Sequence, residues 1–217
     1  MRVGIVFLFV FVCSIASFSA RDLPLEEIDA LHQIAAHSKD VELRVRAIRA
    51  LGKIGSRQSI KVLTSIMTEA VQVVIRQDPQ YHERMEKARI AALKAMRKIG
   101  MNESDADYVS PNMMKVLRAD PAERVQAEAA LSLGVIGAKA SGVMKSRVAE
   151  SLTWKLNRCP ITKNLLAFML IKGFRQLNVK TNKVLSSLMG AFQRGYLAIV
   201  RLEAKSTVKE LFPGRIN

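Results

Sequence analysis

Residues Leu43 to Gly55, reading LRVRAIRALGKIG, are followed in the same register by ARIAALKAMRKIG from Ala88 to Gly100 and VQAEAALSLGVIG from Val125 to Gly137. The terminal glycines are spaced by 45 and then 37 residues; a further 36 reaches Gly173, and 39 more reaches the Phe212-Pro213-Gly214 stop. A phrase of helical period that returns about every 40 residues cannot bury its apolar stripe alone, so each copy must stack on its neighbour. The chain is therefore constrained to an all-α solenoid of about five antiparallel helix-pair repeats. Architectures of this kind act mostly through the surfaces they present.

Within the phrase, Ala47, Leu51 and Ile54 share one helical stripe, matched by Ala92, Met96 and Ile99 and then by Ala129, Leu133 and Ile136. The alanines are small enough for a neighbouring helix to approach. Gly55, Gly100, Gly137 and Gly173 stand where a helix C-cap favours a left-handed residue without a Cβ. Between the copies, apolar residues three and four apart predict partner helices over 23–37, 58–75, 106–117, 143–156 and 182–192. Asp40, Asp120-Pro121 and Cys159-Pro160 read as start signals for second helices. The extra length between Gly55 and Gly100 falls around Gln77 to Gln80, where a protruding helix or loop is expected.

The stretch Asp120-Pro121-Ala122-Glu123-Arg124-Val125-Gln126 running into Leu131 to Gly137, together with Arg44 to Gly55, resembles HEAT-repeat proteins. The likeness is to the short form that includes the phycobilin-lyase-like repeats, and it is strongest over 40–137. It implies a right-handed α-solenoid and, most often, a protein-binding scaffold. It also implies that the family's arginine, present as Arg44, Arg89 and Arg201 but replaced by Gln126 and Thr162, ties neighbouring repeats together through an acidic partner.

The first residues are a separate object. Basic Arg2 precedes an apolar run from Val3 to Val12 and then small residues at alternating positions up to Ala20. That run is well short of the roughly 20 residues a spanning helix needs. It reads as a secretory signal over 1–19, with Ser17 and Ser19 at the small positions before the cut, and a HEAT-like repeat domain over 20–217. Cys159 is then the only cysteine of the mature chain, and the residue type favours burial in the core.

Charge is unevenly spread. Residues 20–123 carry 17 basic and 15 acidic side chains, whereas 124–217 carry 16 basic and four acidic ones. The segment 151–202 has no acid at all but holds Lys155, Arg158, Lys163, Lys172, Arg175, Lys180, Lys183, Arg194 and Arg201, a candidate anion-binding set. After export, its natural partners would be an acidic protein, an anionic lipid head group or an anionic envelope polysaccharide. Export argues against nucleic acid.

Nothing in the chain has the pattern of an active site. His32 and His37 are five apart and do not share a helical face as a metal pair would. Glu103, Asp105 and Asp107 lack the calcium-loop spacing, and no phosphate loop or nucleophile elbow occurs. Asn102-Glu103-Ser104 matches a glycosylation acceptor. No catalytic residue, cofactor or metal is expected; HEAT-like chromophore lyases and DNA glycosylases are the enzymatic alternatives, and both act inside cells. The expectation is an exported, non-catalytic scaffold for protein–protein interaction in the periplasm or outside the cell. Its candidate partner-binding residues are Arg46, Arg49, Lys53, Lys94, Arg97 and Lys98 on the second helices. Amino-terminal sequencing of the protein recovered from its source cells should begin at Ala20; a chain starting at Met1 would refute the cleaved leader.

Overall fold

The structure, a computed structural model, describes residues 24–72, 79–99 and 101–215. The leader over 1–19, Gly100 and the first two residues of the Gln77–Gln80 segment lie outside the described residues. Ten helices make five antiparallel pairs among the described residues. First helices are α1 (Leu25–His37), α3 (Ser59–Gln72), α5 (Glu103–Ala119), α7 (Gly142–Asn157) and α9 (Asn182–Gln193). Second helices are α2 (Val41–Ile54), α4 (Pro79–Lys98), α6 (Glu123–Gly137), α8 (Asn164–Leu177) and α10 (Ala198–Leu211). None of the described helices is long and apolar enough to cross a membrane.

Local signals place most of these ends. Asp40 caps α2 by accepting from the amides of Glu42 and Leu43 at 2.9 and 3.2 Å. Asn102 caps α5 in a reciprocal box with Asp105, and Ser141 and Thr181 cap α7 and α9. Gly55 ends α2 at φ 71°, in the expected left-handed conformation.

Two other glycines have a different task from the one their positions suggest. Gly137 is the last helical residue of α6, and Gly173 lies inside α8, whose left-handed C-cap is Asn178 at φ 52°. A Cβ on Gly134 would stand 2.6 Å from the Gly173 Cα, and one on Gly173 would stand 2.6 Å from the Ala130 oxygen. Backbone touches backbone where α6 crosses α8. Gly52 does the same for α2 against α4, since its Cβ would fall 2.7 Å from that of Ala95. Second helices thus pack more closely than first helices, and their row forms one face of the stack, here termed the inner face.

Polar ties cross every junction between units. Arg44, buried, donates through Nε to the Ala35 oxygen at 2.8 Å and pairs with Glu69 of the next unit at 3.1 Å. Arg89 and Asp120, both fully buried, pair at 2.9 Å between the second and third units. A lone charge at such depth costs several kcal/mol, so each requires the other. Arg201, the third family arginine, is instead exposed on α10. At the third junction Glu123 accepts from the Leu166 amide at 3.4 Å, and at the fourth Arg175 pairs with Glu203 and Glu210, both at 2.9 Å.

Asp120 also corrects the predicted helix start. It is the C-cap of α5 and accepts from the Ala122 amide, so α6 begins at Glu123 and Pro121 lies in the connecting turn. Pro160 likewise precedes α8 by a full turn. Cys159 is buried, its thiol pushed up by burial, and its carbonyl accepts from the Tyr196 hydroxyl at 2.7 Å.

Gly190, inside α9 with open space around its missing Cβ, provides a control for the crowded sites. Gly134→Ala should destabilise the protein by about 1–3 kcal/mol. Gly190→Ala should stabilise it by about 0.5–1 kcal/mol. Urea denaturation of both variants checks the contrast.

Candidate partner-binding face

The inner face is built from the stripe of each second helix that points away from the first-helix row. On α4 the residues 87, 94 and 98 are seven and four apart and therefore share that stripe, with Ala91 between them. Lys87, Lys94 and Lys98 are all exposed. Opposite them, α2 presents Arg49, and the close approach at Gly52 and Ala95 forms the floor. The result is a cleft of about 380 Å³ lined by five basic side chains (Arg49, Lys87, Lys94, Arg97 and Lys98), with Gly52, Ile90, Ala91 and Ala95 beneath them.

Four of the six residues expected from the sequence thus meet in one place. Arg46 and Lys53 are exposed on α2 but do not line the cleft. Lys87 was not foreseen, although its heptad spacing from Lys94 carried the signal. Two acids near this face are already engaged. Glu42 pairs with Lys87 at 3.0 Å, and Glu128 of α6 pairs with Arg97 and lies 4.0 Å from Lys94. Among the described residues, Arg49 and Lys98 of the cleft have no acidic partner, so it keeps a net positive field.

Toward the carboxyl end the same face becomes apolar. Leu131 and Val135 of α6 and Phe168 and Met169 of α8 are half-buried along it, and Leu165 and Leu202 are exposed. Lys172 sits over the Phe168 ring at 4.7 Å.

The nine basic residues of 151–202 are distributed over different parts of the fold. Arg175 is held by Glu203, Glu210 and the Ser206 hydroxyl, and Arg194 donates to the carbonyls of Leu156 and Asn157, both at 3.0 Å. Lys155 is half-buried, and burial together with Lys163 pushes its pKa down. Arg158 and Arg118 lie over the Trp154 ring at 4.8 and 5.6 Å. Trp154 and Lys183 border a second cleft, of about 610 Å³, between α7 and α9. Lys163 is the N-cap of α8, while Lys180 and Arg201 are exposed.

The acidic cluster near Asn102 is structural. Asp105 completes the capping box and forms a two-point pair with Arg57, with contacts of 2.6 and 2.9 Å, and Asp107 accepts from the Ser141 amide at 2.9 Å. His32 joins α1 to α3 through Ser59 at 3.0 Å. Among the described residues no group of three or more His, Cys, Asp or Glu is placed to hold a metal ion.

A family model described as the PBS lyase HEAT-like repeat matches residues 43–68, which span α2 and most of α3. No curated protein matches the chain.

The hydrogen bonds from Arg57 hold the Asp105 carboxyl below its usual range. A lowered folded pKa adds stability that is complete above the unfolded value near pH 4 and is lost as pH falls through the folded one. Thermal unfolding of the wild type and Asp105→Asn should therefore differ most above about pH 4, and the gap should narrow as the solution is acidified.

Proposed function

We propose that this HEAT-like repeat protein is an exported, non-catalytic scaffold that holds a protein partner against its inner, second-helix face. The observation that carries this reading is the cleft between α2 and α4, with five basic side chains in its lining and no acid among them. Cations gathered in one cleft hasten encounter with an acidic partner. The same helices also offer apolar area, which a protein ligand uses and a simple anion does not. Export is supported by the short apolar leader with its small-residue end. The HEAT-like match supports the scaffold role by fold analogy alone.

A second reading, anion binding by the basic carboxyl-terminal half, draws on the cleft beside Trp154, where Arg118 and Arg158 stack and Lys183 lines the wall. The two readings use opposite faces of the stack. A photocrosslinking residue in place of Lys98 should capture a discrete partner in the source cells, and the same residue in place of exposed Lys61 on α3 should not. Equal capture at both positions, or none at Lys98, would refute the inner-face reading.

A further inference from the structure

Five of the nine exposed large apolar side chains among the described residues share one corner, while Leu25, Tyr108, Val143 and Trp154 lie elsewhere. Ile161, Leu165, Leu197, Ile199 and Leu202 gather where the amino-terminal ends of α8 and α10 meet. A hydrogen bond of 2.8 Å from the Leu197 amide to the Asn164 side chain joins these ends, and Ile161 lies beside Gly195. Leu197 and Ile199 are each 61% exposed and Leu202 is 64% exposed, an unusual concentration for one corner of a soluble domain. The corner opens onto the inner face through Leu165 and Leu202. The basic cleft lies on the same face three second helices away, with Leu131, Val135 and Phe168 between the two.

We propose that the inner face binds a single bipartite segment of a partner protein, acidic at one end and apolar at the other. This deepens the scaffold reading and rests on it. The acidic end sits in the cleft, where Arg49 and Lys98 supply cations not already answered by an acid of the fold. The apolar end sits on Leu165, Leu197 and Leu202, whose desolvation supplies most of the affinity. The acidic end sets direction and on-rate.

Geometry limits the ligand further. Helices in such rows lie roughly 8–10 Å apart, so three steps from α4 to α10 span about 24–30 Å. An extended chain advances about 3.3 Å per residue. The acidic and apolar parts of the bound segment are therefore separated by about seven to nine residues.

The test is selection of a displayed library of random 20-residue peptides on the purified protein, with affinities measured by fluorescence anisotropy. Enriched peptides should carry an acidic cluster and an apolar cluster at about that spacing. Arg49→Glu with Lys98→Glu should weaken them by about tenfold or more and flatten their salt dependence. Leu197→Asp with Leu202→Asp should weaken them by a similar factor and leave the salt dependence in place. All four residues are exposed, and circular dichroism with thermal unfolding confirms that each variant folds.

Peptides of one character only, lost on the matching variant, would overturn the bipartite proposal and leave the scaffold reading standing. Peptides unaffected by both variants would overturn both readings. A library without enrichment would overturn the bipartite proposal. So would a wild-type dimer, seen by analytical ultracentrifugation and abolished by Leu197→Asp with Leu202→Asp, because it would assign the apolar corner to a second copy of the chain.

Discussion

Backbone contact between second helices is the constraint on which the remaining structure depends. Where α6 crosses α8, Gly134 and Gly173 leave no room for a single methyl group, and Gly52 against Ala95 repeats the arrangement between α2 and α4. Helices so close are spaced by their backbones, whereas the first-helix row is held apart by ordinary side chains. The difference distinguishes the two faces of the stack. It also leaves second-helix side chains on the inner stripe with nowhere to pack, so that this stripe must either face solvent or meet a partner.

Polar ties then hold the units in register, three of them arginine–carboxylate pairs and one a carboxylate on a backbone amide. Arg44 reaches Glu69, Arg89 reaches Asp120, Glu123 accepts from the Leu166 amide of α8, and Arg175 is clamped by two glutamates of α10. The arginine ladder suggested by resemblance is real for the first two junctions and is replaced at the others. A buried pair such as Arg89 with Asp120 adds little net energy over an apolar pair, but a slipped register would strand both charges. Arg175 and Arg194 show the same economy, being cations of the acid-free segment that are occupied within the fold.

The inner face consequently has a polarity that net charge alone does not reveal. The basic excess is largest in the carboxyl-terminal half of the sequence, yet the cleft with uncommitted cations lies between α2 and α4. The carboxyl-terminal part of the face is largely apolar. Charge counted along the chain and charge available at a surface differ because ion pairs and stacking consume some cations and burial weakens others, as at Lys155.

The amino-acid sequence by itself determined the helices, their number and most of their ends. Those features rest on contacts within a turn or two, such as the Asp40 cap, the left-handed Gly55 and the stripe of Ala47, Leu51 and Ile54. Four cleft residues were also legible, because a helical repeat puts recurring polar positions on one stripe. Tertiary structure alone decided that Gly173 spaces two helices instead of ending one, that Asp120 answers Arg89, and that Leu197 comes to lie beside Asn164. Each of these joins residues some 30 to 40 positions apart. Such contacts exist only after the units have stacked, and no periodicity within a single helix encodes them.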